Sequence, residues 1–235
     1  MKLNRILSSV ALSALLASPA AAQRQFDITT KPGAPVQSTM YGIFFEDINF
    51  GADGGLYAEM VENRSFEFPN RLMGWNTWGN VSVSSIKPAF DRNPNYVVLE
   101  PSGHREKSTG LENRGFFGMG LKKGMKYNFS VYGRLHLLNG KQAKIRVELV
   151  DENNNPMERK SITITNNKWK KYSVELTSKQ TLQKGYMRIF LEGNESVDLD
   201  HVSMFPADNW NGLRADLVKD LEDLHPGIFR FPGGC

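Results

Sequence analysis

Residues 75–206 alternate between short apolar-rich segments and polar turns. Seven of these segments are rich in the β-branched and aromatic residues that favour strands. They are Tyr96–Leu99, Lys126–Leu135, Lys144–Val150, Ser161–Thr165, Trp169–Leu176, Tyr186–Leu191 and Val197–Met204. From Lys126 to Arg134 apolar and polar residues alternate strictly, with Tyr127, Phe129 and Val131 on one face. Many short strands with little helical pattern predict an all-β sandwich, and we expect a jelly roll.

The segments before and after this region follow a different pattern. Phe26–Thr30 alternates as a strand does, and Met40–Phe45 is apolar enough for a buried parallel strand. Leu56–Asn63 predicts a short helix with Leu56, Met60 and Val61 on one face. Beyond the sandwich, Asp208–Leu224 predicts a helix, because its leucines recur at helical spacing.

The end of that helix and the next strand also have clear sequence signals. Asn209 or Asn211 is suited to cap the start of the helix, and Pro226 and Gly227 end it. Ile228–Phe231 is then another apolar strand.

The order strand, all-β region, helix, strand is that of a β-α-β unit with a sandwich inserted after its first strand. We therefore predict the first β-α-β portion of a (β/α)8 TIM barrel, interrupted by a jelly-roll sandwich of the galactose-binding-like type. The predicted parts are a barrel portion over 26–74, the sandwich over 75–206, and a barrel helix and second strand over 207–235.

Residues 1–22 have the composition of a secretory signal peptide. Lys2 and Arg5 precede an apolar run, and Ala20–Ala22 forms a small-residue cleavage site. The run is shorter than the ~20 residues that a membrane span needs. We therefore expect a secreted or periplasmic protein whose mature chain starts at Gln23.

Charge and cysteine content narrow the function classes. Of 29 Lys and Arg residues, 2 lie in the predicted leader, which leaves 27 against 25 Asp and Glu. A net charge of +2 with scattered bases gives no reason to expect nucleic acid or a membrane as partner. Cys235 is the one cysteine, so no disulfide forms within the chain.

Two motifs at the ends of the predicted strands carry a family resemblance. The first runs from Tyr41 to Asp47 and continues through 54–60 and 62–67; the second is 230–235. In this order they resemble glycoside hydrolase family 51, the α-L-arabinofuranosidases. The region between them resembles the jelly-roll carbohydrate-binding modules of families 4 and 9.

The resemblance implies a retaining hydrolase of terminal non-reducing α-L-arabinofuranosyl groups in arabinan and arabinoxylan, or of arabino-oligosaccharides. Retention requires two carboxyl groups about 5 Å apart. In the family both come from later barrel strands, so no catalytic residue is expected in this chain, and we expect it to be inactive alone. No cofactor is expected, and an oligomer is an option for the full-length enzyme.

The resemblance also implies three substrate-binding residues. Glu46 matches a glutamate that hydrogen-bonds arabinose hydroxyls, and Arg230 matches an arginine that holds the nucleophile carboxylate. Cys235 matches a position that lines the sugar pocket, and it is equally suited to be a small buried hydrophobe. We expect Asp47, which points away from Glu46 in an extended chain, to be structural.

Other candidate chemistry is weaker. Tryptophans are natural sugar-stacking residues, although we expect Trp169, inside a strand pattern, to be in the core. The four histidines show no metal spacing, and residues 151–155 favour a hairpin turn over a calcium loop. No metal site is therefore expected, while a structural calcium near Asp200 stays open. Two alternative functions also stay open: a non-catalytic carbohydrate-binding protein, and a xylosidase or endoglucanase on the same scaffold.

Overall fold

A computed structural model of the chain describes residues 28, 30–102, 108–136 and 142–232. The chain divides into two compact units, 1–37 and 38–235. The described residues of the first unit form no helix or strand. The predicted signal peptide, most of the predicted strand Phe26–Thr30, and Cys235 with its two preceding glycines lie outside the described residues. Ile28 and Thr30 are described and are not in a strand.

The second unit begins with a 3-10 helix over Ser38–Met40, and its other elements follow in chain order. The strands are β1 (Gly42–Phe44), β2 (Trp75–Trp78), β3 (Asn80–Ser84), β4 (Tyr96–Glu100), β5 (Gly110–Asn113), β6 (Met119–Leu121), β7 (Lys126–Leu135), β8 (Ala143–Val150), β9 (Pro156–Ile164), β10 (Lys170–Thr177), β11 (Leu182–Glu192), β12 (Val197–Pro206) and β13 (Ile228–Arg230). The α-helix, α1, covers Ala215–Asp223. The predicted strands between 96 and 204 are thus present, with boundaries shifted by a few residues.

Strands β2 to β12 form two antiparallel sheets within the described residues. The five-stranded sheet has the order β10-β7-β12-β4-β3, and the six-stranded sheet has the order β2-β5-β11-β8-β9, with β6 paired to β11. The predicted sandwich is therefore confirmed.

The sandwich core lies between the two sheets and follows the alternation seen in the sequence. On β7 the side chains of Tyr127, Phe129 and Val131 are buried, while those between them face outwards. They pack in one apolar cluster with inward residues of β8 such as Ile145 and Val147. Burial of a side chain of this size contributes about 1.5–3 kcal/mol.

The strands β1 and β13 form a separate, parallel two-stranded sheet. Gly42 pairs with Ile228, and Phe44 pairs with Arg230. A Cβ on Gly42 would lie 2.5 Å from the Ile228 carbonyl oxygen, so this close pairing requires glycine. The predicted parallel neighbours are thus present, joined through the sandwich and α1.

The predicted helix over Leu56–Asn63 is wrong. Its N–H groups do not bond to carbonyl oxygens four positions earlier, and two of them bond to distant segments. The Ala58 N–H donates to Gly212 O and the Met60 N–H to Met204 O. Asn63 has a φ of 50°, which a right-handed helix does not allow. The segment is an irregular connection between β1 and the sandwich.

The predicted caps of the second helix are also wrong. The helix begins at Ala215, and Arg214 occupies the cap position without a side-chain hydrogen bond. Asn209 instead accepts a hydrogen bond from the Gly212 N–H in the turn before the helix. No residue of α1 is fully buried, and no described helix is long and apolar enough to cross a membrane.

Candidate functional site

The two residues matched to substrate binding lie at the carboxyl ends of neighbouring parallel strands. Glu46 follows β1 by two positions and is half-buried, and Arg230 is the exposed last residue of β13. The Phe45 N–H donates to Arg230 O at 3.1 Å, which fixes the two strand ends side by side. The Arg230 guanidinium lies 5.3 Å from the centre of the Phe44 ring. Neither Glu46 nor Arg230 forms an ion pair with another described residue.

The loop after Glu46 is closed by its own hydrogen bonds. Asp47 Oδ1 accepts a bond from the Ala52 N–H at 3.0 Å, which fits the structural role expected for Asp47. The Ile48 N–H donates to Glu46 O, and the Gly51 N–H donates to Ile48 O. The loop therefore folds back beside the strand tip and leaves the Glu46 carboxylate free to accept bonds from a ligand.

A buried carboxylate that the sequence analysis did not single out attaches this loop region to the sandwich. Glu59 is 3% exposed and accepts bonds from the backbone N–H groups of Val61 and Met204 and from the Ser203 hydroxyl. Burial raises the pKa of Glu59, although these donors and the charge of Arg64 oppose the rise. The sequence signal was an acidic residue within the otherwise apolar run 58–61.

The open part of the outer face of the five-stranded sheet is a groove of about 600 Å³. We call it the sheet groove. Its lining combines aromatic rings, hydroxyls and both signs of charge. The side chains that face it include Tyr57, Arg64, Ser130, Tyr132, Lys171, Ser173, Glu175, His201 and Ser203. Such a mixture is typical of a site for a polar ligand with apolar faces.

A β-bulge shapes one end of the sheet groove. The register of β12 against β7 shifts between Asp200 and Ser203, and His201 has a φ of 46°. The bulge brings the His201 ring against Phe90, with ring centres 4.4 Å apart. Bulges often redirect a side chain beside a functional site.

Asp200, beside this bulge, is fully buried, and its Oδ2 has no partner among the described residues. Burial raises the pKa of Asp200 to about 7, partly offset by the His201 N–H and reinforced by the charge of Glu67. Burial and the charge of Arg64 lower the pKa of the His201 imidazole. No group of three or more His, Cys, Asp or Glu residues in the described part of the chain is arranged to hold a metal ion.

An arginine clamp covers the other end of the same face. The Arg134 guanidinium packs on the rings of Tyr96 and Trp169, at 5.1 and 4.5 Å from their centres, and the two rings also meet each other edge to face. It also bonds to buried Asp198 at 2.7 Å and to the carbonyl oxygen of Lys87. The expectation that Trp169 belongs to the core is therefore wrong, because it lies just before β10 and packs on a cation at the surface.

The other tryptophans occupy three different environments. Trp75 is buried and donates its indole N–H to Asn63 O, which excludes it from sugar stacking. Trp78 packs against Phe190 with ring centres 5.3 Å apart, and Trp210 is 55% exposed.

The predicted turn at Asp151 is confirmed, since its carboxylate accepts bonds from the N–H groups of Asn153 and Asn155.

A second concave region lies between the sandwich and the segments that connect it to the parallel pair. We call it the connecting cleft, and it has a volume of about 630 Å³. Its lining includes Phe116 and Phe117, in the turn between β5 and β6, and Arg214 and Asp216, at the start of α1.

Comparison with known proteins gives this architecture a family. Residues 58–197 match the carbohydrate binding domain family, and the chain belongs to that family. This confirms the resemblance of the middle region to carbohydrate-binding modules.

The similarity to known proteins extends beyond the sandwich. The chain is 37% identical over 226 residues to an extracellular exo-α-L-arabinofuranosidase of Streptomyces chartreusis, covering 89% of this chain and 26% of that protein. It is 31% identical to α-L-arabinofuranosidase 1 of Arabidopsis thaliana, covering 90% and 33%. A solved arabinose-bound family 51 α-L-arabinofuranosidase superposes with a TM-score of 0.74 at 28% identity, covering 87% and 36%. The predicted resemblance to α-L-arabinofuranosidases is confirmed, and the chain spans about a quarter to a third of these relatives.

Proposed function

We propose that this chain is the N-terminal part of a retaining α-L-arabinofuranosidase that removes terminal non-reducing arabinofuranosyl groups from arabinan and arabinoxylan. The observation that carries the proposal is the parallel pairing of β1 with β13, which puts Glu46 and Arg230 at one edge. Relatives named as arabinofuranosidases match 88–90% of the chain.

In this proposal, 26–74 and 207–235 are parts of a (β/α)8 barrel, and 75–206 is a sandwich inserted into it. The exposure of the parallel pair supports the assignment. Phe44, Ile228 and Phe229 are between 52% and 57% exposed, which is unusual for strands this apolar. In a closed barrel every strand has two neighbours and a covering helix, and these side chains would be buried.

The proposed roles follow from the position of each residue. Glu46 accepts hydrogen bonds from sugar hydroxyls, and Arg230 holds the nucleophile carboxylate ionised and in place. Cys235 lines the sugar pocket. Both catalytic carboxylates lie on strands that are not in this chain, so this chain alone would not hydrolyse glycosides.

The test uses the full-length protein and its Glu46→Gln variant, assayed on an aryl α-L-arabinofuranoside and an aryl β-D-xyloside. Loss of a charge-assisted hydrogen bond of about 1.5–3 kcal/mol predicts a 10- to 150-fold lower kcat/KM on the arabinoside. Asp47→Asn, one position further along the loop, is the matched control and should change kcat/KM less than threefold. Hydrolysis of the xyloside but not the arabinoside would overturn the proposed specificity.

We also propose that the protein is exported, to the medium or the periplasm. The leader-like composition of residues 1–22 supports this, and the Streptomyces relative is named extracellular. N-terminal sequencing of the mature protein should start at Gln23. Recovery of the intact N-terminus from the cytoplasmic fraction alone would contradict export.

A second candidate function is carbohydrate binding by the sheet groove, and the mixed aromatic and polar lining of that groove favours it. The family that the sandwich belongs to supports the same ligand class. Affinity electrophoresis of the full-length protein through gels containing arabinoxylan tests it. Tyr132→Ala removes an aromatic face of the groove and should abolish retardation, whereas Ile86→Ala, at a surface residue that does not line the groove, should not. Equal retardation of both variants would refute this role for the groove.

A further inference from the structure

The turn between β5 and β6 packs directly on the loop that follows β1. Phe50, in that loop, lies 5.2 Å from Phe116 and 5.9 Å from Phe117, measured between ring centres. Gly54 has a φ of 82°, and a Cβ there would lie 2.3 Å from the Phe116 ring. The sandwich and the Glu46-bearing loop are therefore in tight contact, and a larger residue at Gly54 would separate them.

Phe116 and Phe117 have different roles in this contact. Phe116 is half-buried against Gly54, whereas Phe117 is 78% exposed. The Phe50 ring meets Phe117 at an interplanar angle of 77°, an edge-to-face arrangement. That contact supports the ring while most of its surface stays in solvent. Phe117 therefore presents an aromatic face that a ligand in the cleft can reach.

The connecting cleft begins at this ring. The same lining contains Arg214 and Asp216, which form an ion pair with each other, at 2.5 Å between Nη2 and Oδ2. The Gln183 amide and the Lys184 ammonium also line the cleft, next to Gly118, and both residues are exposed. The cleft thus combines an aromatic ring with hydrogen-bonding amide, carboxylate and guanidinium groups.

These groups fit a neutral ligand better than an ionic one. Arg214 and Asp216 neutralise each other, and the other charged residues of the lining are two bases, Lys122 and Lys184, and two acids, Glu59 and Asp208. A chain of neutral sugars offers apolar ring faces for Phe117 and vicinal hydroxyls for the carboxylate, amide and guanidinium.

We infer that the connecting cleft, with Phe117 as its aromatic surface, binds the neutral polysaccharide chain that extends from the sugar held at the Glu46 strand tip. The inference rests on the proposed function, because it takes the strand tip as the place where the terminal sugar binds. It assigns to the sandwich a part in selecting long substrates, through a face different from the sheet groove.

The experiment compares the full-length protein with its Phe117→Ala variant on two substrates. α-L-Arabinofuranosyl fluoride has no leaving chain, and an arabino-oligosaccharide of four residues has one. Loss of an aromatic contact predicts a 3- to 10-fold lower kcat/KM on the oligosaccharide and less than a twofold change on the fluoride. Phe117→Trp keeps an aromatic face and should restore the oligosaccharide rate, and Ile86→Ala is the control for an exposed apolar residue outside the cleft.

An unchanged ratio of the two rates in Phe117→Ala would overturn the inference. This holds whether neither rate falls or both fall equally, and an equal fall would indicate a general effect on the strand tip. Affinity electrophoresis in arabinan gels gives a readout that does not need hydrolysis. If the protein hydrolyses neither substrate but Phe117→Ala loses retardation that Tyr132→Ala keeps, the proposed function fails, and neutral-chain binding by the cleft stands without its link to the strand tip. Retardation by polygalacturonate and not by arabinan would refute the neutral-chain ligand.

Discussion

Replacing Asp200 by asparagine should remove a pH-dependent destabilisation of the sandwich. The Asp200 carboxyl is fully buried, its Oδ2 has no partner among the described residues, and burial raises its pKa from 3.8 to about 7. The folded state therefore binds a proton more tightly than the unfolded state does. The free energy of unfolding is highest below pH 4 for this group and falls as the pH rises towards 7.

The size of the effect on the free energy of unfolding follows from the pKa shift of Asp200. A difference of about 3 pKa units at about 1.4 kcal/mol per unit corresponds to about 4 kcal/mol at pH 8, an upper value because water reaching the site would reduce it. In Asp200→Asn the new side chain would keep an oxygen for the His201 N–H and would place an amide N–H₂ where Oδ2 lies. An unsatisfied buried donor costs about 1–3 kcal/mol at every pH.

The parent chain has by these values already lost about 1.7 kcal/mol at pH 5, so relative to it Asp200→Asn should gain about 2–3 kcal/mol between pH 5 and pH 8 and be equal or more stable at pH 8. Urea unfolding followed by tryptophan fluorescence at pH 5, 6, 7 and 8 gives the difference curve. The lowered pKa of His201 makes the free energy of unfolding rise with pH, opposite to the effect of Asp200. This contribution is present in both proteins and largely cancels in the difference.

The control is Asp151→Asn. Hydrogen bonds from Asn155 and Asn153 lower the pKa of Asp151, so its contribution is complete above pH 4 and its difference curve should be flat from pH 5 to 8. A difference curve for Asp200→Asn that is equally flat would refute the reasoning, because it would mean that the carboxyl is ionised throughout.

Three other outcomes are expected from urea unfolding of the same chain. Glu59→Gln should lower the free energy of unfolding by about 1–3 kcal/mol, since an amide cannot accept all the bonds that the carboxylate accepts; an unchanged midpoint would contradict this. Trp169→Ala should cost about 1 kcal/mol through loss of the contact with Arg134, and Trp169→Phe should cost less. Burial alone would raise the pKa of Glu112, but hydrogen bonds from Arg188 and two other side chains outweigh burial and lower this pKa. The stability lost in Glu112→Gln should therefore be constant above pH 5 and shrink as the pH falls below 4.

Strand periodicity was the part of the fold that could be predicted from the sequence. The alternation over Lys126–Leu135 is set by burial of one face, and it survives in β7 residue by residue. The apolar runs at β1 and β13 likewise identified the parallel pair, because such runs favour strands whatever lies between them.

Features that depend on contacts between distant segments could not be predicted in this way. The apolar spacing over Leu56–Asn63 matches a helix, yet the N–H groups of Ala58 and Met60 bond to residues 154 and 144 positions away. The segment around Trp169 has the sequence pattern of a strand in the core. The residue stays outside the core because its ring packs on Arg134, a contact between distant segments.

The candidate site divides in the same way. The positions of Glu46 and Arg230 follow from strand ends, which sequence indicates well. The bulge at His201, the orphan oxygen of Asp200 and the contact between Phe116 and Gly54 depend on register and packing, for which local sequence gives no signal.

The segments that lead into and out of the sandwich lie side by side. Tyr57 forms an antiparallel bridge with Leu213, and the Arg214 N–H donates to Leu56 O. Because the chain leaves and returns at one point, the 155 residues between Tyr57 and Leu213 can be carried at nearly the geometric cost of a short loop. A tight turn joining Tyr57 to Leu213 would give a shorter protein with the same strand pairing, and sandwiches of other specificity could be exchanged at this junction without redesign of the parallel pair.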